Sequence, residues 1–134
     1  MSTQHAVSVN NSVAPVTTAE TVVGTITIPP LNEPGGDGVL ISGIVTGTTG
    51  AGTTAIVVRV RQGNGTGGAI LPNSSTVQVG ASLNTSAYFS CLDTVTQYPA
   101  GNTYSVTVQQ TGATGNGANF NVTVASEPST SGVG

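Results

Sequence analysis

The stretch AIVVRVRQGNGTGG, residues 55–68, decides how the rest of the chain is read. Its first eight residues alternate. Ile56, Val58 and Val60 fall on one side of an extended chain, and Val57, Arg59 and Arg61 on the other. Successive side chains of a β-strand point to opposite faces, so a period of two in β-branched residues marks a strand with one buried face. The strand runs into GNGTGG, where glycine density demands a turn.

The same grammar repeats outward from here. TVVGTITIP (21–29) sets Val22, Ile26 and Ile28 on one face, VLISGIVTG (39–47) is apolar on both faces as suits a covered strand, and TVQVG (76–80) pairs Val77 with Val79. TSAYFSCLD (85–93) alternates Ala87, Phe89 and Cys91 against Tyr88, Ser90 and Leu92. TYSVTVQQT (103–111) turns Tyr104, Val106 and Val108 inward and Ser105, Thr107 and Gln109 outward, and NFNVTVA (119–125) turns Phe120, Val122 and Val124 inward. An early segment, HAVSV (5–9) or the Pro15-bearing SVAPV (12–16), adds an edge strand. No window of eleven or more residues has helical spacing. Short strands separated by dense Gly, Pro and Asn turns predict an all-β fold: an antiparallel β-sandwich, a single jelly roll of about eight strands. Residues 1–19 form an N-terminal arm or edge strand, 20–126 the jelly-roll domain, and 127–134 a flexible C-terminal tail.

The chain's 134 residues suffice for one domain with its own core. Cys91 is the single cysteine, so no intrachain disulfide forms; in its apolar run it reads as a small core residue, with no neighbouring base to activate it. Only 5% of residues are charged, against about 25% in an ordinary soluble domain. The net charge of −3 comes from Glu20, Glu33, Asp37, Asp93 and Glu127 against Arg59 and Arg61, and there is no lysine. Thr, Ser, Asn, Gln and Gly must therefore make the polar surface, which leaves little charge repulsion between copies. Two arginines cannot supply the phosphate contacts of a nucleic-acid partner. No apolar run is long enough to span a membrane. The start MSTQHAVSVNNS has neither the basic nor the apolar region of a secretory signal, so none is expected.

The chemistry-bearing motifs are sparse. Gly63, Gly65 and Gly68 satisfy G-x-G-x-x-G, but a dinucleotide site needs a following helix and an acid about 20 residues on, and strand-like AILPNSSTVQV follows instead. His5 is the only histidine, near a terminus, where it makes a poor catalytic base. The five acids are scattered, short of a calcium loop or a paired-carboxylate site with an aromatic sugar platform. No catalytic, cofactor or metal residue is assigned, and no enzyme activity is expected. The arginine pair is the exception. Alternation puts Arg59 and Arg61 on one face, about 7 Å apart along the strand. One reading is a solvated face that discourages edge pairing. The other is an interface at which guanidinium forks pair with Asp93, Glu20 or a partner's carboxylate, making Arg59, Arg61, Asp93 and Glu20 the candidate interface residues.

Two stretches carry a family resemblance. LDTVTQYPAGNTYSVTVQ (92–109) resembles a segment late in many small phage virion proteins with a single jelly roll, related in shape to the tumour-necrosis-factor and C1q group. VLISGIVTGTTGAGTTAIVVRVRQGNGTGGAIL (39–71) resembles their middle, with a glycine loop, a V-x-V-R strand and a Gly-rich turn. The resemblance covers most of residues 20–125, and departs from the family in lacking its lysines and a compact D-T-P. It implies a homotrimeric capsid decoration or cement protein, made in the host cytoplasm and carried on the virion, with itself and a major capsid or other virion protein as partners. The alternatives are a tail or head-fibre appendage or receptor- or glycan-binding module, in which Tyr88 or Tyr98 would meet a sugar, and a cell-surface pilin-like or surface-layer subunit.

Overall fold

The computed structural model describes residues 6–11, 15–28, 31–32, 36–72, 75–94, 97–98 and 101–130. Ten strands run in chain order: β1 (Ala6–Asn11), β2 (Thr21–Ile28), β3 (Leu31–Asn32), β4 (Gly36–Thr48), β5 (Ala55–Gln62), β6 (Ser75–Gln78), β7 (Asn84–Asp93), β8 (Gln97–Tyr98), β9 (Asn102–Thr111) and β10 (Ala118–Thr130). Each strand pairs antiparallel with the one equally far from the opposite end: β1 with β10, β2 with β9, β3 with β8, β4 with β7, β5 with β6. The chain is thus one long hairpin, and the quoted GNGTGG turn lies at its tip, between β5 and β6. Rolling this hairpin up adds two pairings, β10 with β4 and β9 with β5. The result is two four-stranded sheets, ordered β1-β10-β4-β7 and β2-β9-β5-β6, with β3-β8 as a short annex. That order is the jelly roll anticipated from the turn spacing. Among the described residues there is no helix.

The core lies between the two sheets and is built from the inward half of each alternation. Ile56, Val58, Val60, Tyr104, Val106 and Val108 face Ile41, Val45, Ala87, Phe89, Cys91, Phe120, Val122 and Val124, all buried. β-Branched residues dominate because their stiff χ1 suits a pleated surface, and the two phenyl rings fill what valines leave. Phe120 packs where β4 has Gly47: a Cβ there would stand 2.5 Å from its ring. Two buried polar groups close the layer. Tyr104 donates its hydroxyl to Asp93 Oδ2 at 2.7 Å, and Gln62 Nε2 donates to the same oxygen at 3.1 Å. Gln110 Oε1 accepts from Gly50 N at 2.8 Å and Thr53 Oγ1 at 3.2 Å, while its Nε2 donates to Val16 O and Gly115 O, both at 3.1 Å.

Three details depart from the sequence reading. The inward residue at the start of β2 is Val23, with Val22 half-buried, because the register with β9 shifts between Val22 and Gly24. A bulge adds one residue to one strand and so switches the faces of those beyond it. The early edge strand is Ala6–Asn11, while Val16 makes an isolated bridge to Gly117. β10 continues to Thr130, pairing Glu127 with Leu40 and Ser129 with Gly38, where the sequence suggested a tail from 127. Residues 1–5 of the arm and 131–134 of the tail lie outside the described residues, as does His5.

Candidate assembly surfaces

The two sheets differ in what covers their outer faces. On the β2-β9-β5-β6 sheet the outward residues Ser105 and Thr107 have no exposed surface, although they point away from the core. Two connections of the same chain lie over them. The Gly63–Gly68 turn folds back on Ser105, whose Oγ accepts from Gly65 N at 2.9 Å and donates to Gly63 O at 2.8 Å. Gly63 (φ 83°) and Gly65 (φ 120°) supply the left-handed backbone this turn needs. The β1–β2 connection covers Thr107 and Gln109, with Gln109 Nε2 donating to Thr18 O at 2.9 Å and Gln110 N to Thr17 O at 3.0 Å.

The arginine pair ties these two connections down. Glu20, at the end of the β1–β2 connection, lies across both guanidinium groups. Arg61 grips it with a fork, Nε to Oε2 at 2.6 Å and Nη2 to Oε1 at 2.8 Å. Arg59 Nη1 reaches Oε1 at 3.5 Å, and the Thr107 hydroxyl donates to Oε2 at 2.7 Å. Two further bonds stay within the chain: Arg61 Nη1 to Gly68 O at 2.7 Å and Arg59 Nη1 to Gln109 Oε1 at 2.8 Å. The side chains are 23%, 16% and 15% exposed for Arg59, Arg61 and Glu20, so the cluster lies partly covered at the solvent boundary. The Arg61 hydrogen bonds hold the Glu20 carboxyl down at about 2, against an ordinary 4.5; its burial opposes this, and the Thr107 hydroxyl and the charges of Arg61 and Arg59 add to it. Glu20 in turn raises the Arg61 guanidinium.

Of the four residues singled out from sequence, the fold brings Glu20, Arg59 and Arg61 together and keeps Asp93 apart, buried beside Tyr104. β5 is an interior strand along its whole length: β9 pairs one side, and β6 and then Ile70 pair the other. The arginines therefore guard no sheet edge. Thr107 and Gln109 complete the cluster. Their outward alternation with Arg59 on a neighbouring strand was visible, but their register was not. Cys91 is buried, and desolvation pushes its thiol up to about 11. Among the described residues no three His, Cys, Asp or Glu side chains gather as a metal site. The side chains of Asp37 and Tyr98, and all of Glu33, lie outside the described residues.

The β1-β10-β4-β7 sheet is bare by contrast. Its register aligns Val9, Thr123, Ile44 and Tyr88 in one row across four strands, and Val7, Ala125, Ser42 and Ser90 in the next. Val7, Val9 and Tyr88 are 57%, 69% and 75% exposed, three of the five exposed large apolar side chains among the described residues. Toward one end the face sinks into a shallow hollow of about 690 Å³ lined by Thr46, Thr48, Asn84, Ser86, Asn119 and Asn121, all uncharged. Among the described charged residues, Glu127 lies on this face, at its opposite margin, two positions beyond Ala125 and across from Leu40.

Fold and surfaces together define a jelly-roll sandwich with one face partly covered by its own loops and one open face whose centre is uncharged. No family model matches the chain, and no curated protein matches it. Among solved structures it is similar to Bacillus endospore appendages, described as a family of disulfide-linked pili, at 14% identity and a TM-score of 0.43, covering 98% of this chain and 93% of that one. It is also similar to a chain of infectious bursal disease virus, Gx strain, at 10% identity and a TM-score of 0.47, covering 98% of this chain and 33% of the viral one. These are likenesses of shape, and the reading that follows rests on the chain's own geometry.

Proposed function

We propose that this chain is a structural subunit that works by being built into a particle, with the outer face of the β1-β10-β4-β7 sheet covered by its neighbours. One observation carries the reading: a sheet face uncharged at its centre, with Val7, Val9 and Tyr88 exposed, on a chain whose other face is partly covered by its own loops. Exposed apolar surface gathered on one face marks an association site, and the absence of charge from its centre is the composition of an interface core. A rigid sandwich with few ionisable groups suits a part that bears load. The finer form of this reading is a homotrimeric decoration protein on a phage-type capsid, as the sequence resemblance implies. Arg59, Arg61 and Glu20 serve it from within, by keeping the opposite face closed.

The test is sedimentation and electron microscopy of the purified chain beside a variant carrying Val7→Lys and Val9→Lys. The wild type is expected to self-associate, and the variant to lose that association while keeping its melting temperature. A wild type that stays a strict monomer and binds no particle removes the proposal.

A further inference from the structure

We infer that β7 is a pairing edge for a second copy of this chain, joining two β1-β10-β4-β7 sheets across a two-fold axis at Tyr88. The inference rests on the structural-subunit reading and names one contact within it.

Each sheet of the sandwich ends in two edge strands, and two of the four carry devices that discourage edge pairing. β6 is four residues long, and β2 is bent by its register shift at Val22–Gly24. β1 spans six residues. β7 is the longest of the four and has neither device. It spans ten residues, Asn84–Asp93, without proline, and its register with β4 runs unbroken from Thr48↔Asn84 to Val39↔Asp93. It holds no charge from Asn84 through Leu92. Among the described residues, the sheet order gives it β4 on one side and no strand on the other.

The direction of its backbone groups follows from one hydrogen bond. Thr49 N donates to Leu83 O at 3.0 Å, one step before the ladder begins, so Leu83 turns toward β4. In an antiparallel ladder this orientation alternates. Thr85, Ala87 and Phe89 then face β4, while Asn84, Ser86, Tyr88, Ser90 and Leu92 aim N–H and C=O at the open edge. The second side of β4 agrees: the Thr123 carbonyl crowds Gly43, so it points at β4 and makes Thr123–Ile44 a bonded pair. Ile44 therefore bonds β10, and its partner Tyr88 bonds outward.

These five residues are also the ones whose side chains lie on the outer face, and they are symmetric about Tyr88. A second β7 laid antiparallel with Tyr88 opposite Tyr88 sets Ser86 opposite the second copy's Ser90, and Asn84 opposite the second copy's Leu92. Outward groups then meet outward groups and outer faces continue into outer faces, as the pleat requires. A full-length pairing makes about ten backbone hydrogen bonds. No like charges meet, and the Ile44–Tyr88 row continues into its symmetry mate. A charged partner, by comparison, would find no counter-charge on this strand. The contact is isologous, so it yields a dimer, or links two trimers where a three-fold contact also holds.

Sedimentation velocity across a concentration series tests the register with two double variants. Ser86→Lys with Ser90→Lys puts like charges opposite each other twice per interface. Ser86→Lys with Ser90→Glu puts opposite charges there. The first is expected to weaken association about tenfold or more, and the second to stay close to wild type. The first also moves the net charge from −3 to −1, which favours non-specific association, so a loss can come only from the local contact. Tyr88→Pro is an independent probe. It removes an outward N–H and no β4 bond, so the melting temperature is retained while the even-numbered species is lost. Wild type sedimenting as a dimer or hexamer, falling to monomer or trimer in the Lys/Lys variant, is the expected result. If association survives equally in both charge variants and in Tyr88→Pro, edge pairing is wrong and the covered-face reading stands. A monomer at every concentration overturns the edge pairing, and one that also binds no particle removes the covered-face reading as well.

Discussion

Replacing Glu20 by Gln tests whether the arginine cluster holds the β1–β2 connection on the sheet. In the native state the carboxylate accepts from Arg61 twice, Arg59 once and Thr107 once. Its pKa falls from 4.5 to about 2. Taken at face value that difference is worth about 3 kcal/mol, at about 1.36 kcal/mol per tenfold in proton affinity. The group lies at the solvent boundary, so screening reduces this to about 1–2 kcal/mol. A depressed native pKa contributes stability that is fully present above 4.5 and is lost as the pH falls through about 2, because the proton then binds both states. Thermal and urea unfolding of wild type and Glu20→Gln are compared from pH 7 to pH 2, so that the other carboxylates cancel in the difference. The variant is expected to be less stable by about 1–2 kcal/mol at pH 7, or roughly 3–6 °C. The gap holds to about pH 5 and closes toward pH 2. A gap that stays flat across the range would refute the cluster as the cause, and one of only a few tenths at pH 7 would make it a surface pair of no consequence.

The buried amide of Gln110 invites the complementary experiment. Gln110→Leu keeps the volume but strands Gly50 N and Gly115 O, while Val16 O keeps its bond from Gly117 N, and it is expected to cost about 2–4 kcal/mol in denaturant unfolding, a larger loss than Glu20→Gln. With its thiol buried and raised to about 11, Cys91 should ignore a thiol reagent at pH 8 in the native protein and react at once in denaturant; fast native labelling would mean that the sandwich opens there. The face and edge experiments above complete the set.

Much of the architecture was legible in the residues themselves. A strand's side chains alternate by covalent geometry, so the inward sets of β5, β7, β9 and β10 could be read without coordinates, down to Tyr104 and Phe120. Turn residues are equally local, and their spacing implied a jelly roll. What failed was what depends on pairing. Val22 reads as inward until the bulge against β9 is known, and β10 reads as ending near 126 until β4 is seen to carry it further. The arginines are the sharpest case. Their shared face follows from alternation, yet whether that face meets water, a neighbour or Glu20 depends on a loop 39 residues away in sequence. The same holds for the bare face. Val9, Thr123, Ile44 and Tyr88 are scattered from residue 9 to residue 123, and only the nested register of the rolled hairpin sets them in one row. Sequence alone therefore determined the strands, their inward faces and the scarcity of charge, because those are properties of the chain over a few residues. The tertiary structure decided which face is closed and which edge is open, because both are set by hydrogen-bond partners far apart along the chain.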